Sequence, residues 1–179
     1  MTAKIRIIAV GALKEDFWAR AADEYCKRLR RYCKLEILEV KDLDPEKNGG
    51  IHHARQKEAI AALKALGISI DALKYNDSRM LNLSHADNKV GYTIALDSAG
   101  DLMSSEQIAR FLSDLQTQGA SPINLLIGGS TGLDDKLKAA ANKCLSFGAI
   151  TLPHNLARIV LLEQLYRAFR IIAGEPYHK

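Results

Sequence analysis

Aromatic residues make up only 6% of this 179-residue chain, with one tryptophan, and prolines number four and cysteines three. Each scarcity excludes something. Cys26, Cys33 and Cys144 are odd in number and show neither CxxC nor metal-ligand spacing, which argues against a disulfide scaffold or a zinc module. Reduced thiols in a cytoplasmic protein without a metal are expected. No apolar run approaches the ~20 residues of a membrane span. Met1-Thr2-Ala3-Lys4 leads into a strand-like run instead of a signal peptide, so no membrane partner is expected. No repeat or low-complexity segment is visible. Lys plus Arg exceed Asp plus Glu by only 25 to 21, and so small an excess does not by itself call for nucleic acid.

What is present is a globular composition, 47% hydrophobic and 26% charged, which fits a single domain over 1–179. Ile5 to Val10 reads as a first strand, ended by Gly11. Phe17, Ala21, Tyr25 and Leu29 recur every four residues and predict one helical face. A second strand is expected at 35–40, a loop at 41–50 with Pro45 and Gly49-Gly50 as breakers, and a helix at 51–66. Residues 67–90 are turn-rich and read as a surface excursion. A buried strand at 91–96 ends at Asp97-Ser98-Ala99-Gly100. Ser104 and Gln107 have capping-box spacing ahead of Ile108, Phe111, Leu112 and Leu115. Ile123 to Ile127 is a further strand. Asp134 and Asp135 open a helix expected to run through Leu145. Ala149-Ile150-Thr151-Leu152 reads as the last strand, stopped by Pro153-His154, and 156–173 as the last helix.

Strands alternating with helices predict an α/β fold with a mainly parallel sheet and helices on both faces. Such sheets bind ligands beyond the carboxyl ends of their strands. The expected pocket rim is therefore Leu96-Asp97, Ile127-Gly128 and Leu152-Pro153. Gly128-Gly129-Ser130-Thr131-Gly132 is neither GxGxxG nor GxxxxGK[ST], which speaks against a dinucleotide or triphosphate. It reads either as a tight strand-to-helix turn or as main chain left bare for a ligand. The two further rim elements favour the ligand.

The last helix is apolar on most of its circumference, which implies a core helix or one wedged in a subunit interface. Within it Glu163 and Arg167 stand four apart. Arg167 is suited to phosphate or carboxylate, while Glu163 reads as its structural partner. His154 and His178 are candidate proton acceptors because imidazole titrates near neutral pH. His52, His53 and His85 read as solvated surface. The run Lys27, Arg28, Arg30, Arg31 and Lys34 is explained by a helix C-terminus, with an RNA-facing patch as the sharper alternative.

Several stretches carry a resemblance: Ile8-Ala9-Val10-Gly11, Glu24-Tyr25-Cys26-Lys27-Arg28-Leu29, Ile127-Gly128-Gly129-Ser130-Thr131-Gly132-Leu133, Thr151-Leu152-Pro153-His154, Glu163-Gln164-Leu165-Tyr166-Arg167-Ala168 and Pro176-Tyr177-His178-Lys179. On them the chain closely resembles the ribosomal RNA large subunit methyltransferase H family, of the SPOUT or α/β-knot class. The segment 67–90 looks longer than the family pattern, a probable insertion. The resemblance implies S-adenosylmethionine as cofactor and N3 of a pseudouridine in large-subunit ribosomal RNA as acceptor. It also implies a homodimer and a C-terminal trefoil knot. The mild basicity points to the assembled ribosome as substrate. Cofactor contacts carry over to Leu96, Gly128, Phe147, Gly148, Ala149, Ile150, Thr151 and Leu152. Tyr177, His178, Arg167 and His154 correspond to catalytic and RNA-side positions. The alternative is a non-catalytic RNA- or ribosome-binding module on the same fold; an oxidoreductase would need the missing phosphate fingerprint.

Overall fold

The computed structural model describes residues 2–68, 70, 75 and 90–176. Five strands form one parallel sheet in the order β2-β1-β4-β3-β5. They are β1 (Ala3–Val10), β2 (Cys33–Val40), β3 (Tyr92–Leu102), β4 (Ile123–Ile127) and β5 (Lys143–Ser146). The helices are α1 (Asp16–Leu29), α2 (Ile51–Ala65), α3 (Ser105–Thr117), α4 (Asp135–Ala140) and α5 (His154–Ile172).

Strand periodicity sorts the core into two layers. Ile5, Ile7 and Ala9 of β1, with Ile123, Leu125 and Ile127 of β4, face one side. There they meet Ala22 and Leu29 of α1, Ile108 and Leu112 of α3, and Leu161, Leu162 and Leu165 of α5. Ile8, Ala95 and Leu126 point the other way, onto Ala59, Ala62 and Leu63 of α2 and Leu137 and Ala140 of α4. A sheet covered on both faces needs continuous apolar strands, and all five residues of β4 are buried.

Local signals hold where the contacts are local. Ser104 Oγ accepts from the Gln107 N–H at 3.2 Å, and Gln107 Oε1 accepts from the Ser104 N–H at 2.7 Å, completing the capping box. Phe17 departs from its expected face and is 55% exposed. A step of four residues overshoots a full turn by about 40°, so three steps carry Phe17 about 120° away from Leu29.

The larger correction lies between α4 and α5. The helix expected through Leu145 stops at Ala140, and Lys143–Ser146 is a strand. The Asn142 N–H donates to the Thr93 carbonyl at 2.9 Å, while Asn142 Oδ1 accepts from the Thr93 N–H at 2.7 Å. This exchange docks the chain at the start of β3 and launches β5 along the open edge. The expected strand at 149–152 is irregular backbone instead. β3 also outlasts its expected end at Leu96: Leu96 and Asp101 both pair with Leu145, with the intervening residues bulged out. Gly100 lies so close to β5 that a Cβ would meet Cys144 and Leu145 main chain at 2.8 Å. Of the segment 67–90, Ile70, Tyr75 and Val90 are buried, and Ile70 and Tyr75 join the α2–α4 layer.

Candidate active site

A cavity of about 380 Å³ opens at the β3 bulge after Leu96 and beyond the carboxyl ends of β4 and β5. Its first wall is Leu96, Asp97 and Ser98, its second is residues 127–132, and its third comprises Leu145, Phe147, Gly148, Ile150, Thr151 and Leu152. His154, Ala157 and Arg55 complete it. Seven of the eight residues assigned to the cofactor by resemblance line this cavity; Ala149 lies exposed on the same segment and does not. The third wall is the end of β5 and the segment after it, in place of a strand at 149–152.

The glycines of the second wall answer first to the loop's own sterics. A Cβ on Gly128 would stand 2.5 Å from the Gly132 carbonyl carbon, and one on Gly129 would stand 2.6 Å from Asp42 Oδ1. Gly132 has φ +82°, and its N–H donates to the Gly129 carbonyl at 3.1 Å. The loop is thus a tight turn that also lines the cavity. Arg55 of α2 donates to the Thr131 carbonyl, and its Nε is buried without a partner among the described residues. Nothing in the helical pattern of α2 singles out Arg55.

Asp97 accepts from the Ala99 N–H at 2.9 Å and from the Lys138 ammonium at 3.0 Å. Burial alone would raise its pKa, but these two donors outweigh it and hold the carboxyl below its ordinary value. In the third wall Ser146 Oγ donates to the Ser98 carbonyl at 3.1 Å and accepts from the Gly148 N–H at 3.1 Å, which fastens the segment after β5 to the β3 bulge.

His154 begins α5 and sits against Gly11, where a Cβ would be 3.1 Å from its Nε2. One turn later Arg158, 2% exposed, donates to the Gly11 carbonyl and to Glu39, each at 2.5 Å. Sequence reading missed Arg158; a lone arginine at i+4 from a histidine carries no local signal of burial. Arg167 does not line the cavity. It is paired with Glu163 at 2.7 Å, about 20 Å along α5 from His154 at ~1.5 Å per residue. Tyr177 and His178 lie outside the described residues, as does His85. The preceding Glu175 is held by the Tyr32 hydroxyl at 2.6 Å and by Arg170 at 2.8 Å. Tyr32 immediately precedes β2, so this anchor lies at the amino end of the sheet, opposite the cavity. His52, His53 and the basic run from Lys27 to Lys34 are exposed on the surface.

Among the described residues no helix is long and apolar enough to cross a membrane, and no group of His, Cys, Asp or Glu could hold a metal ion. Comparison with known proteins places this geometry. A family model described as "Predicted SPOUT methyltransferase" matches residues 3–178. The ribosomal RNA large subunit methyltransferase H of Clostridium novyi (strain NT) is 44% identical over 175 residues, covering 98% of this chain and 99% of the relative. The protein of the same name from Clostridium acetobutylicum is 43% identical over 176 residues, covering 98% and 99%. Among solved structures, a probable methyltransferase from Bordetella pertussis Tohama I superposes with a TM-score of 0.51 at 15% identity, covering 93% of this chain and 95% of that one. That likeness shows the fold. The chain belongs to the SPOUT methyltransferases and, within them, to the ribosomal RNA large subunit methyltransferase H family.

Proposed function

We propose that this protein transfers a methyl group from S-adenosylmethionine to N3 of a pseudouridine in large-subunit ribosomal RNA, acting on the assembled ribosome as a cytoplasmic homodimer. The observation that carries the reading is a cavity formed where β3 bulges and β4 and β5 end, built in a chain of this methyltransferase family. The relatives' names supply the class of substrate.

The cavity fits the cofactor. Its volume lies in the ~300–1,000 Å³ range of small-molecule sites. Leu96, Ile127, Leu145 and Leu152 offer apolar walls for an adenine face, and main chain at 128–132 and 147–152 offers donors and acceptors for its edge. The cofactor contains no phosphate, in keeping with a glycine loop that lacks the Lys-Ser/Thr pair of a phosphate cradle. When bound, it supplies a methyl group on a sulfonium, whose sulfur leaves with the bonding pair as a neutral thioether.

The chain's own residues must align the acceptor and take its N3 proton. Alignment alone lowers such barriers by about 7–11 kcal/mol at best. Among the described residues His154 is the imidazole at the cavity, and we assign it to the proton. His178 and Tyr177, with Arg167, are assigned to the nucleotide and its proton from the other side. They follow a residue, Pro176, that lies far from the cavity of its own chain. Pro176 accepts from Arg170 at 2.6 Å, near the far end of α5, and α5 spans about 28 Å at ~1.5 Å per residue. The tail of one protomer therefore serves the cavity of its partner, and this is why the homodimer belongs to the proposal. We read 147–153, which leads from the β5 edge of the sheet to Gly11 beyond β1, as the pass that ties the C-terminal knot.

The test is mass spectrometry of ribosomal RNA from cells with and without this protein. Loss of one methyl from a single pseudouridine-bearing fragment is expected, and an unchanged spectrum would refute the reading. Calorimetry should show binding of S-adenosylmethionine and none of NADH or FMN.

A further inference from the structure

We propose that the Arg55 guanidinium binds the α-carboxylate of S-adenosylmethionine and so selects the intact cofactor over its decarboxylated form. The inference rests on the methyl-transfer reading above and adds to it how the amino-acid end of the donor is held and checked.

α2 begins at Ile51, so Arg55 stands in its second turn, half-buried at the cavity wall. One N–H of Nη2 goes to the Thr131 carbonyl, which pins the guanidinium beside the glycine turn. Nε is covered by the protein's own atoms, so the side chain offers its Nη end to the cavity. There Nη1 keeps accessible surface and meets no partner among the described residues, and Nη2 has a second N–H. Two N–H groups side by side match the two oxygens of a carboxylate.

The surrounding acids leave this cation without an ion pair among the described residues. Asp97, also on the cavity wall, already holds the Lys138 ammonium and the Ala99 N–H. Asp135 feels the guanidinium's field but pairs with Lys138 at 2.9 Å and is exposed to water. Glu58 accepts from the Leu43 N–H, and burial disfavours its charge. A half-buried cation with no fixed counter-charge calls for an anion that arrives with the ligand. S-adenosylmethionine carries one anionic group, its α-carboxylate, beside a sulfonium and an ammonium. Arg55 is the one permanent cation on the wall among the described residues, so the carboxylate has one place to go. That seat leaves Leu96, Leu145 and Leu152 of the other two walls for the adenine.

Calorimetry of wild type, Arg55→Ala and Arg55→Lys measures Kd for S-adenosylmethionine, its decarboxylated form and 5′-methylthioadenosine, which lacks the amino-acid end. Wild type should prefer S-adenosylmethionine to the decarboxylated form by about tenfold or more, the scale of a hydrogen bond to a charged group. Arg55→Ala should lose that preference by binding S-adenosylmethionine more weakly, while the other two bind no worse than to wild type. Arg55→Lys, which keeps a cation, should recover part of it. Equal weakening of all three ligands in Arg55→Ala would make the side chain a prop for the glycine turn and overturn the proposal. A raised KM for ribosomes at unchanged cofactor Kd would assign the guanidinium to an RNA phosphate and overturn it too. Should Arg55→Ala fail to fold, wild type decides alone: equal affinity for the intact and decarboxylated cofactors would refute the assignment. A wild type that binds none of the three removes the cofactor reading itself, and this assignment with it.

Discussion

Arg158 of α5 and Glu39 of β2 are 119 positions apart in sequence and 2.5 Å apart in space. The same guanidinium donates to the Gly11 carbonyl beyond β1, so one buried cation ties two strand ends to the helix turn that carries His154. Placing a charge here costs desolvation, and only its fixed partners offset that cost.

Arg158→Met should therefore lower stability by about 2–3 kcal/mol. Breaking a buried pair commonly costs ~3–5 kcal/mol, and the 42% exposure of the Glu39 side chain lets water recover part of it. Arg158→Lys should restore only part of the loss, since an ammonium does not span both acceptors in the guanidinium's fork geometry. Urea denaturation at pH 7 measures both, and a Met variant within 0.5 kcal/mol of wild type, about the spread of a neutral substitution, would contradict the account.

Two glycines of the loop after β4 should respond differently to alanine. At Gly128 the new Cβ meets main chain at 2.5 Å, a clash that costs about 1–3 kcal/mol and should weaken cofactor binding at least tenfold by moving the cavity wall. At Gly132 the nearest atom is Arg55 Nη2 at 3.7 Å, so there is room, and the penalty comes from φ +82°, about 1–2 kcal/mol. Thermal melts and calorimetry separate the two cases; equal effects on both readouts would refute the distinction.

Glu58 of α2 is 3% exposed and accepts from the Leu43 N–H at 2.7 Å. Burial pushes its pKa up from the ordinary 4.5, nearby Asp42 adds to the rise, and the Leu43 N–H opposes it. A carboxyl whose folded pKa is raised holds more protons in the native state between its two pKa values, so its contribution falls as pH climbs from 4.5 through the folded value. Glu58→Gln should be more stable than wild type at pH 7, with the difference vanishing below pH 4.5. Asp97 acts in the opposite direction: its lowered pKa contributes stability above 3.8 that is lost as pH falls through the folded value. The two windows do not overlap. Denaturation midpoints at pH 3, 4.5 and 7 check the signs, and a Gln variant less stable than wild type at pH 7 would reverse the reading.

Mixing two damaged proteins tests whether the tail acts on the partner's cavity. His154→Ala and a chain ending at Pro176 should each be nearly inactive alone. Refolded together in equal amounts, half of the dimers pair one of each. Each mixed dimer has one cavity with its own His154 and the other chain's full tail, so about a quarter of wild-type activity should return. Recovery below a few per cent would place the tail at its own chain's cavity or outside the reaction.

Much of this molecule was legible before any coordinates. The apolar run Ile5 to Val10 marked β1, and Ser104 with Gln107 marked the start of α3. All three expected rim elements, at Leu96, Ile127 and Leu152, line the cavity, although Leu152 stands on irregular backbone and not at a strand end. Each of those signals is carried within a few residues, on the scale of a strand's pleat or a helix's first turn. The reading of 137–152 failed for the complementary reason. Leu137, Ala140 and Leu145 continue a plausible helical pattern, and only the exchange between Asn142 and Thr93 turns the chain into an edge strand.

Sequence by itself determined the class of fold, the direction of the sheet and the family, because periodicity, caps and motifs are properties of neighbouring residues. Tertiary structure decided which segment became β5, that Arg158 is buried, and that His154 stands at the cavity while Glu175 and Pro176 are held at the opposite end of α5. Those outcomes depend on groups brought together from far along the chain, and a free energy shared between distant partners leaves no pattern in either partner's own surroundings.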